Sequence, residues 1–178
     1  MMSNYYSENK LDKLENILGT NFDDKKLLRR AVTHKSFPNE NPDLDLKNNE
    51  RMEFLGDAVL DLSMSSYLFN NFTEYPEGRL AKMKAILVSA PILAGIARKI
   101  NLSRFLLLGK GEEMTGGRER DSILADAMEA IIGAIYLDQG LNAADNFIVE
   151  NFAEDIQIVK EGNHIRDYKT LLQETVQK

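Results

Sequence analysis

At 178 residues, 43% hydrophobic and 28% charged, the chain has the size and composition of one globular domain with at most a short appendage. It has no cysteine, which excludes disulfides, thiolate metal sites and a cysteine nucleophile. No run reaches the roughly 18 apolar residues of a membrane helix and residues 1–18 lack a signal-peptide pattern, so a cytoplasmic protein without membrane partners is expected. A formal net charge of −6 weighs mildly against nucleic-acid binding, because phosphate-binding surfaces are usually basic.

Apolar residues recur with helical period nearly throughout, and the expected fold class is all-α. Leu11, Leu14, Ile17 and Leu18 form a first stripe. Asn21 or Asp23 is placed to cap a second helix that buries Leu27, Leu28 and Val32 and turns Lys25, Lys26, Arg29 and Arg30 outward. Residues 37–47, rich in Pro, Asn and Asp, read as a loop. A long helix spans about 49–69, followed by a turn at Tyr75-Pro76-Glu77-Gly78 and a helix from about Arg79 that Pro91 breaks or kinks. Residues 109–121 read as a polar, glycine-rich connector, 122–137 as a strongly apolar helix, and 141–152 as the last helix.

Two of these helices carry acids in a telling pattern. At about 100° per residue, with Glu50 at zero, Glu53 lies near −60° and Asp57 near −20°. Met52, Leu55, Val59 and Leu62 fall on the opposite side, the expected core stripe. A like-charged face mildly destabilises a helix, and a solvated acidic face near a helix N-terminus would explain it equally well. The helix over 122–137 tips the balance, because Asp126 and Glu129 are its only charges and the rest is apolar almost all round. Such a helix is normally buried, and buried carboxylates are costly unless paired or bound to a metal. The helix has no Lys or Arg, so a structural explanation needs a salt bridge from elsewhere, with Arg79, Lys82 and Lys84 as candidates. Gly133 continues the acidic side without a side chain, leaving room for a backbone or a ligand.

Glu53, Asp57, Asp126 and Glu129 together would form an all-oxygen cluster, which selects hard cations such as Mg²⁺ or Mn²⁺ and suits metal-assisted phosphodiester hydrolysis. A di-iron bundle would need Glu-x-x-His pairs, and neither His34 nor His164 follows a Glu at that spacing. There is no GxxxxGK[ST] motif, so the glycine-rich segment is not a Walker loop. His34 reads as structural more readily than catalytic.

The run from Asn49 to Leu60 (NERMEFLGDAVL) closely resembles the signature of the ribonuclease III family, departing mainly at Met52, where Leu is usual. Thr33-His34-Lys35-Ser36 resembles a second block of that family, and ILADAMEA from Ile123 to Ala130, with Gly133 and Tyr136, a third. The resemblance covers roughly residues 11–152 and implies the helical endonuclease domain of that family, assembled as a symmetric homodimer. It implies that Glu53, Asp57, Asp126 and Glu129 bind Mg²⁺ (with Mn²⁺ able to substitute) and that Glu50 lines the cleavage valley as a further catalytic acid. Glu77 aligns with an acid that reaches the partner subunit's valley, and Phe54 with an aromatic knob that enters a socket on that subunit. The wheel agrees for Phe54, which sits near 40°, off the core stripe.

The implied activity is metal-dependent hydrolysis of double-stranded RNA in rRNA and mRNA processing. It leaves 5′-phosphate and 3′-hydroxyl ends with short 3′ overhangs and uses no small-molecule cofactor. Lys82, Lys84, Arg118 and Arg120 are candidate phosphate contacts, each equally well read as solvated surface. The alternative is a non-catalytic duplex-RNA-binding or scaffold protein on the same fold, which the four intact acids disfavour. In domain terms, 1–159 reads as the catalytic domain, 160–166 as a linker, and 167–178 (opening DYKTLLQE) as the start of a truncated double-stranded-RNA-binding domain. That missing domain would carry much of the affinity that an acidic chain lacks.

Overall fold

The computed structural model describes residues 8–162. They form nine helices: α1 (Glu8–Leu18), α2 (Lys25–Ala31), α3 (Ser36–Glu40), α4 (Glu50–Asn71), α5 (Glu77–Leu87), α6 (Ala90–Lys99), α7 (Lys110–Met114), α8 (Asp121–Gln139) and α9 (Leu141–Lys160). Short 3-10 turns lie at Pro42–Leu44, Leu102–Phe105 and Gly117–Glu119. The described residues contain no strand, only an isolated bridge between Thr33 and Leu107, so the all-α expectation is met.

Helix α8 is the centre of the molecule, with α2, α4, α6 and α9 packed around it. Its sequence demands this, since a helix apolar all round has no face to give to water. From Ile123 to Ile135 every residue is buried except Asp126 and Glu129, which are half-buried. The two acids therefore open the only polar window in the core helix.

Helix α4 crosses α8 closely because both carry glycine at the crossing. A Cβ on Gly56 would stand 1.8 Å from the Glu129 carbonyl oxygen, and one on Gly133 would stand 2.4 Å from that of Met52. The room at Gly133 is thus filled by a backbone. This contact rotates α4 from its expected setting. Met52, Gly56, Val59, Leu60, Ser63 and Met64 are buried, whereas Leu62, expected in the core, is 56% exposed. Glu53 and Asp57 consequently lie at the edge of the α4–α8 seam rather than opposite the core.

Other departures have local causes. Ile17 points outward and Glu15 is buried in its neighbourhood, where its carboxylate accepts from Phe22 N at 2.7 Å and pairs with Lys25 at 2.9 Å. Asp24, not Asn21 or Asp23, caps α2, accepting from Lys26 N at 3.0 Å. Asp138 at the end of α8 holds the preceding backbone, accepting from Asp23 N and Asp24 N at 3.0 Å each. The segments 37–47 and 109–121 are not plain loops but contain α3, α7 and 3-10 turns. Glu40 joins them by accepting from Lys110 N at 2.7 Å and Gly111 N at 3.1 Å, which satisfies free amides at the start of α7. Glu77 is the first residue of α5 rather than part of a turn, with Pro76 at the N-cap. The break before α6 falls at Val88–Ser89, and Pro91 sits in the first turn of α6, where its missing N–H costs nothing. Helix α9 continues past Phe152 to Lys160, burying Ile156 and Val159. The sequence from 163 onward, including the segment expected to open an RNA-binding domain, lies outside the described residues.

No single helix among the described residues is long and apolar enough to cross a membrane; α5 and α6 reach that composition only together, with a 50° bend between them.

Candidate metal centre

The α4–α8 seam brings three acids together. Each of Glu53, Asp126 and Glu129 offers a carboxylate oxygen within 4.8 Å of the other two, and all three are half-buried. No Lys or Arg forms an ion pair with any of them among the described residues. Of the candidate partners, Lys84 pairs with Asp61 at 3.1 Å and Arg79 stacks on the Tyr75 ring, 3.5 Å from its centroid. Asp57 is exposed one turn further along α4 and falls outside the triad, although its charge acts on Glu129. Glu50 is also exposed, held by Lys35 at 3.2 Å and by the Asn48 amide at 3.1 Å. Glu77 is exposed at the start of α5 and is not one of the three grouped acids.

Burial, reinforced by neighbouring acids, raises the pKa values of these three carboxylates. Glu129 is pushed up to about 8, first by burial and then by the charges of Asp57, Asp126 and Glu53. Burial also raises Glu53, reinforced by Asp126 and Glu50, and it raises Asp126 against the opposing effect of His34 and Lys35. Three carboxylates that resist ionisation together, with no Lys or Arg ion-paired to them among the described residues, are a donor set that a hard divalent ion would neutralise.

A pH dependence follows. Glu129 holds its proton more tightly folded than unfolded, where its value is the ordinary 4.5. The stability this contributes is complete below about 4.5 and is lost as pH rises through about 8. In EDTA the thermal midpoint should therefore fall between pH 5 and 8 by calorimetry, and Glu129→Gln should flatten that fall. Divalent ions should flatten it too, because binding replaces the proton.

His34, which reads from the sequence as structural, and Lys35 both act on Asp126 at the edge of the acidic group. Backbone hydrogen bonds from His34 N to Leu107 O (3.0 Å) and from Asn49 N to Thr33 O (2.9 Å) set this segment against the start of α4. Ser36 N donates to His34 Nδ1 at 3.3 Å and the Ser36 hydroxyl lies 2.8 Å from the same nitrogen. Nδ1 is therefore an acceptor, and in the neutral ring the proton sits on Nε2. Burial lowers the His34 pKa and favours this neutral form. The expected phosphate contacts change as well. Arg118 pairs with Glu113 at 2.5 Å and donates to Leu106 O at 3.1 Å, and Arg120 pairs with Glu112 at 2.6 Å, so both brace the 109–121 segment.

The model of the Ribonuclease-III-like family matches residues 24–156, which include all of these acids. The chain belongs to the ribonuclease III family. It is 52% identical over 171 residues to a Ribonuclease 3 from Pelotomaculum thermopropionicum, covering 96% of this chain and 71% of that relative. Its structure is similar to the nuclease domain of ribonuclease III from Campylobacter jejuni, with TM-score 0.74, 46% identity, and coverage of 81% of this chain and 94% of that one. A second structure of that Campylobacter domain, described for flexibility in a region involved in dimer formation, matches with TM-score 0.73 and 48% identity, covering 80% and 99%.

Proposed function

We propose that this chain is a metal-dependent endoribonuclease that cuts both strands of duplex RNA. The observation that carries the reading is the Glu53–Asp126–Glu129 triad, three carboxylates whose ligand oxygens lie within 4.8 Å of one another and which no Lys or Arg among the described residues pairs. Membership of the ribonuclease III family agrees with it. The triad would hold Mg²⁺ (or Mn²⁺), with Asp57 as a further ligand at the rim. A bound ion of this kind supplies hydroxide near neutral pH and stabilises charge building on the phosphate oxygens. The residues supply the rest: half-burial limits water and strengthens electrostatics within the seam, and Glu50, steadied by Lys35, orients water or RNA at the valley floor. Products would carry 5′-phosphate and 3′-hydroxyl ends with short 3′ overhangs, and duplexes in ribosomal-precursor and messenger RNA of the cytoplasm are the natural targets.

Two sites facing two strands require a dimer, and α4 offers the surface. Phe54 is 79% exposed, Leu62 56% and Phe69 71%, and with exposed Ala58 they line one outer face of the helix. In the sequence these residues follow one another at helical spacings of four, four and seven, with Leu62 falling within the expected core stripe. A stripe of this kind is normally covered by a partner, and the Campylobacter domain is described as forming a dimer. In such a dimer Glu77 would approach the partner subunit's valley. Phe54→Asp should convert the dimer to a monomer in sedimentation at micromolar concentration, and Leu62→Asp should act in the same way. A dimer unaffected by both would remove α4 as the interface.

The activity test is direct. The full chain is incubated with end-labelled duplex RNA in Mg²⁺, in Mn²⁺ and in EDTA. Cleavage of both strands with the stated ends, abolished by EDTA, is expected. An intact duplex in both ions, still retained by the protein, would instead favour a non-catalytic duplex-binding scaffold.

A further inference from the structure

Beyond the acidic centre, the fold gathers basic side chains into a separate cleft. Lys26, Arg29 and Arg30 of α2, Thr33 beyond its end, and Asp45 and Lys47 from the segment leading to α4 line a space of about 170 Å³. Four cations against one carboxylate give this cleft a formal charge of +3 in a chain whose total is −6. Asp45 pairs with none of the four, and Lys26, Arg29 and Lys47 have no acid within ion-pair distance among the described residues. Their neighbours show that pairing was available to this chain, since Lys25, one residue before Lys26, is held by Asp12 and Glu15.

Local physics does not explain the arrangement. Lys26, Arg29 and Arg30 are at i, i+3 and i+4, a spacing at which like charges repel. Arg29 and Arg30 suit the negative end of α2, but Lys26 lies in its first turn, the wrong end for a cation. Lys47 comes from a different segment and converges on the same space. An anion would relieve all of these conflicts.

The cleft is tied to the acidic centre. Arg30 Nε donates to Asn48 O at 2.9 Å, and the Asn48 amide holds Glu50. Lys47 is three residues from Glu50, hence within about 11 Å along the chain. Duplex nucleic acid carries a phosphate for every ~1.7 Å of helix axis, counted over both strands of the B form, so a duplex lying at the acids presents many further phosphates at this range.

We propose that this cleft is a phosphodiester-binding site, which grips the RNA backbone beside the cleavage centre through Lys26, Arg29 and Lys47. The inference rests on the duplex-RNA reading above. Arg29 provides a planar fork matched to two phosphate oxygens, and the two lysines supply point charges. Such contacts fix register and add affinity without reading sequence. They also give an acidic chain part of its own grip.

The test is the triple variant Lys26→Gln, Arg29→Gln, Lys47→Gln in the full chain. Fluorescence anisotropy of a labelled RNA duplex, measured against salt in the Glu129→Gln background, should show the slope of log K on log salt reduced by two to three, near one per lost contact. With the other residues native and Mg²⁺ present, KM should rise at least tenfold while kcat stays within twofold. Lys26→Arg with Lys47→Arg should retain the native slope, and so should Lys13→Gln with Arg104→Gln, outside the cleft. An unchanged slope and KM in the triple variant, or an equal fall in the control, overturns the proposal. Titration with inorganic phosphate separates the remaining source: a triple variant that loses phosphate binding but keeps its duplex slope marks a free-phosphate site, and the RNA assignment falls. The binding arm needs no cleavage, so an inactive native chain would defeat the nuclease reading while leaving the salt slope to judge the cleft.

Discussion

Glu129→Gln lowers the cleavage rate of duplex RNA by about 10³-fold or more, with the protein folded and at least as stable as the native chain in EDTA. The rate loss follows from the several kcal/mol of charge stabilisation that a bound divalent ion supplies and that the triad must hold in place. A neutral amide keeps the shape of the side chain but contributes neither the charge nor the geometry for that ion. The stability expectation has the opposite sign for a definite reason. Glu129 is raised to about 8 by burial and by Asp57, Asp126 and Glu53, so its ionised form strains the metal-free protein above neutrality. Gln removes that strain. Asp126→Asn should act in the same direction on both quantities, since burial raises Asp126 as well. A purely structural acid gives the contrary pattern, with stability lost and cleavage retained. Single-turnover cleavage with thermal melts in EDTA and in Mg²⁺ distinguishes the two, and full activity in either variant would end the assignment of the triad.

Gly56→Ala destabilises the chain by about 3 kcal/mol or more, at the upper end of overpacking costs, and removes cleavage along with stability. The new Cβ would stand 1.8 Å from the Glu129 carbonyl oxygen and 2.6 Å from its carbon. Both obstacles are backbone in the central helix, so neither can swing aside. Relief requires α4 and α8 to part, and the seam that parts is the one holding Glu53 against Asp126 and Glu129. For a domain of this size the thermal midpoint should drop by roughly 10 °C. Gly95→Ala is the matched control. Gly95 lies inside α6 with nothing within 4 Å of an added Cβ, so alanine there should be neutral or stabilise by about 0.5–1 kcal/mol. Equal melting temperatures for the two variants would refute the close crossing as the organiser of the site.

Much of this protein was legible before any coordinates. Apolar period marked the long helices, and the isolation of Asp126 and Glu129 in an otherwise apolar helix marked the centre, because burial of charge is costly wherever the helix ends up. Resemblance to the ribonuclease III signature added the family, and the family match agrees with it. Ranges failed where the cause was remote in sequence. The segments 37–47 and 109–121 have loop composition, yet Glu40 satisfies the first amides of α7 from seventy residues away and lets a helix form. Asp24 rather than Asp23 caps α2 with Asp138 close by, although nothing in the local sequence distinguishes the two aspartates.

The acids on α4 divide the two sources of information most clearly. The sequence by itself determined that Glu50, Glu53 and Asp57 share a face, since that follows from helical period alone. Only the tertiary structure decided which way the face points. Leu62 and Val59 both fall within the expected core stripe on a wheel, but the glycine contact turns Leu62 to the surface and Glu53 into the seam. Helical period fixes angles within one helix and is blind to rotation of the whole helix against its neighbour. That rotation is set where two backbones touch, at Gly56 and Gly133, and the same contact that joins the acids leaves Phe54, Leu62 and Phe69 exposed along the outer face.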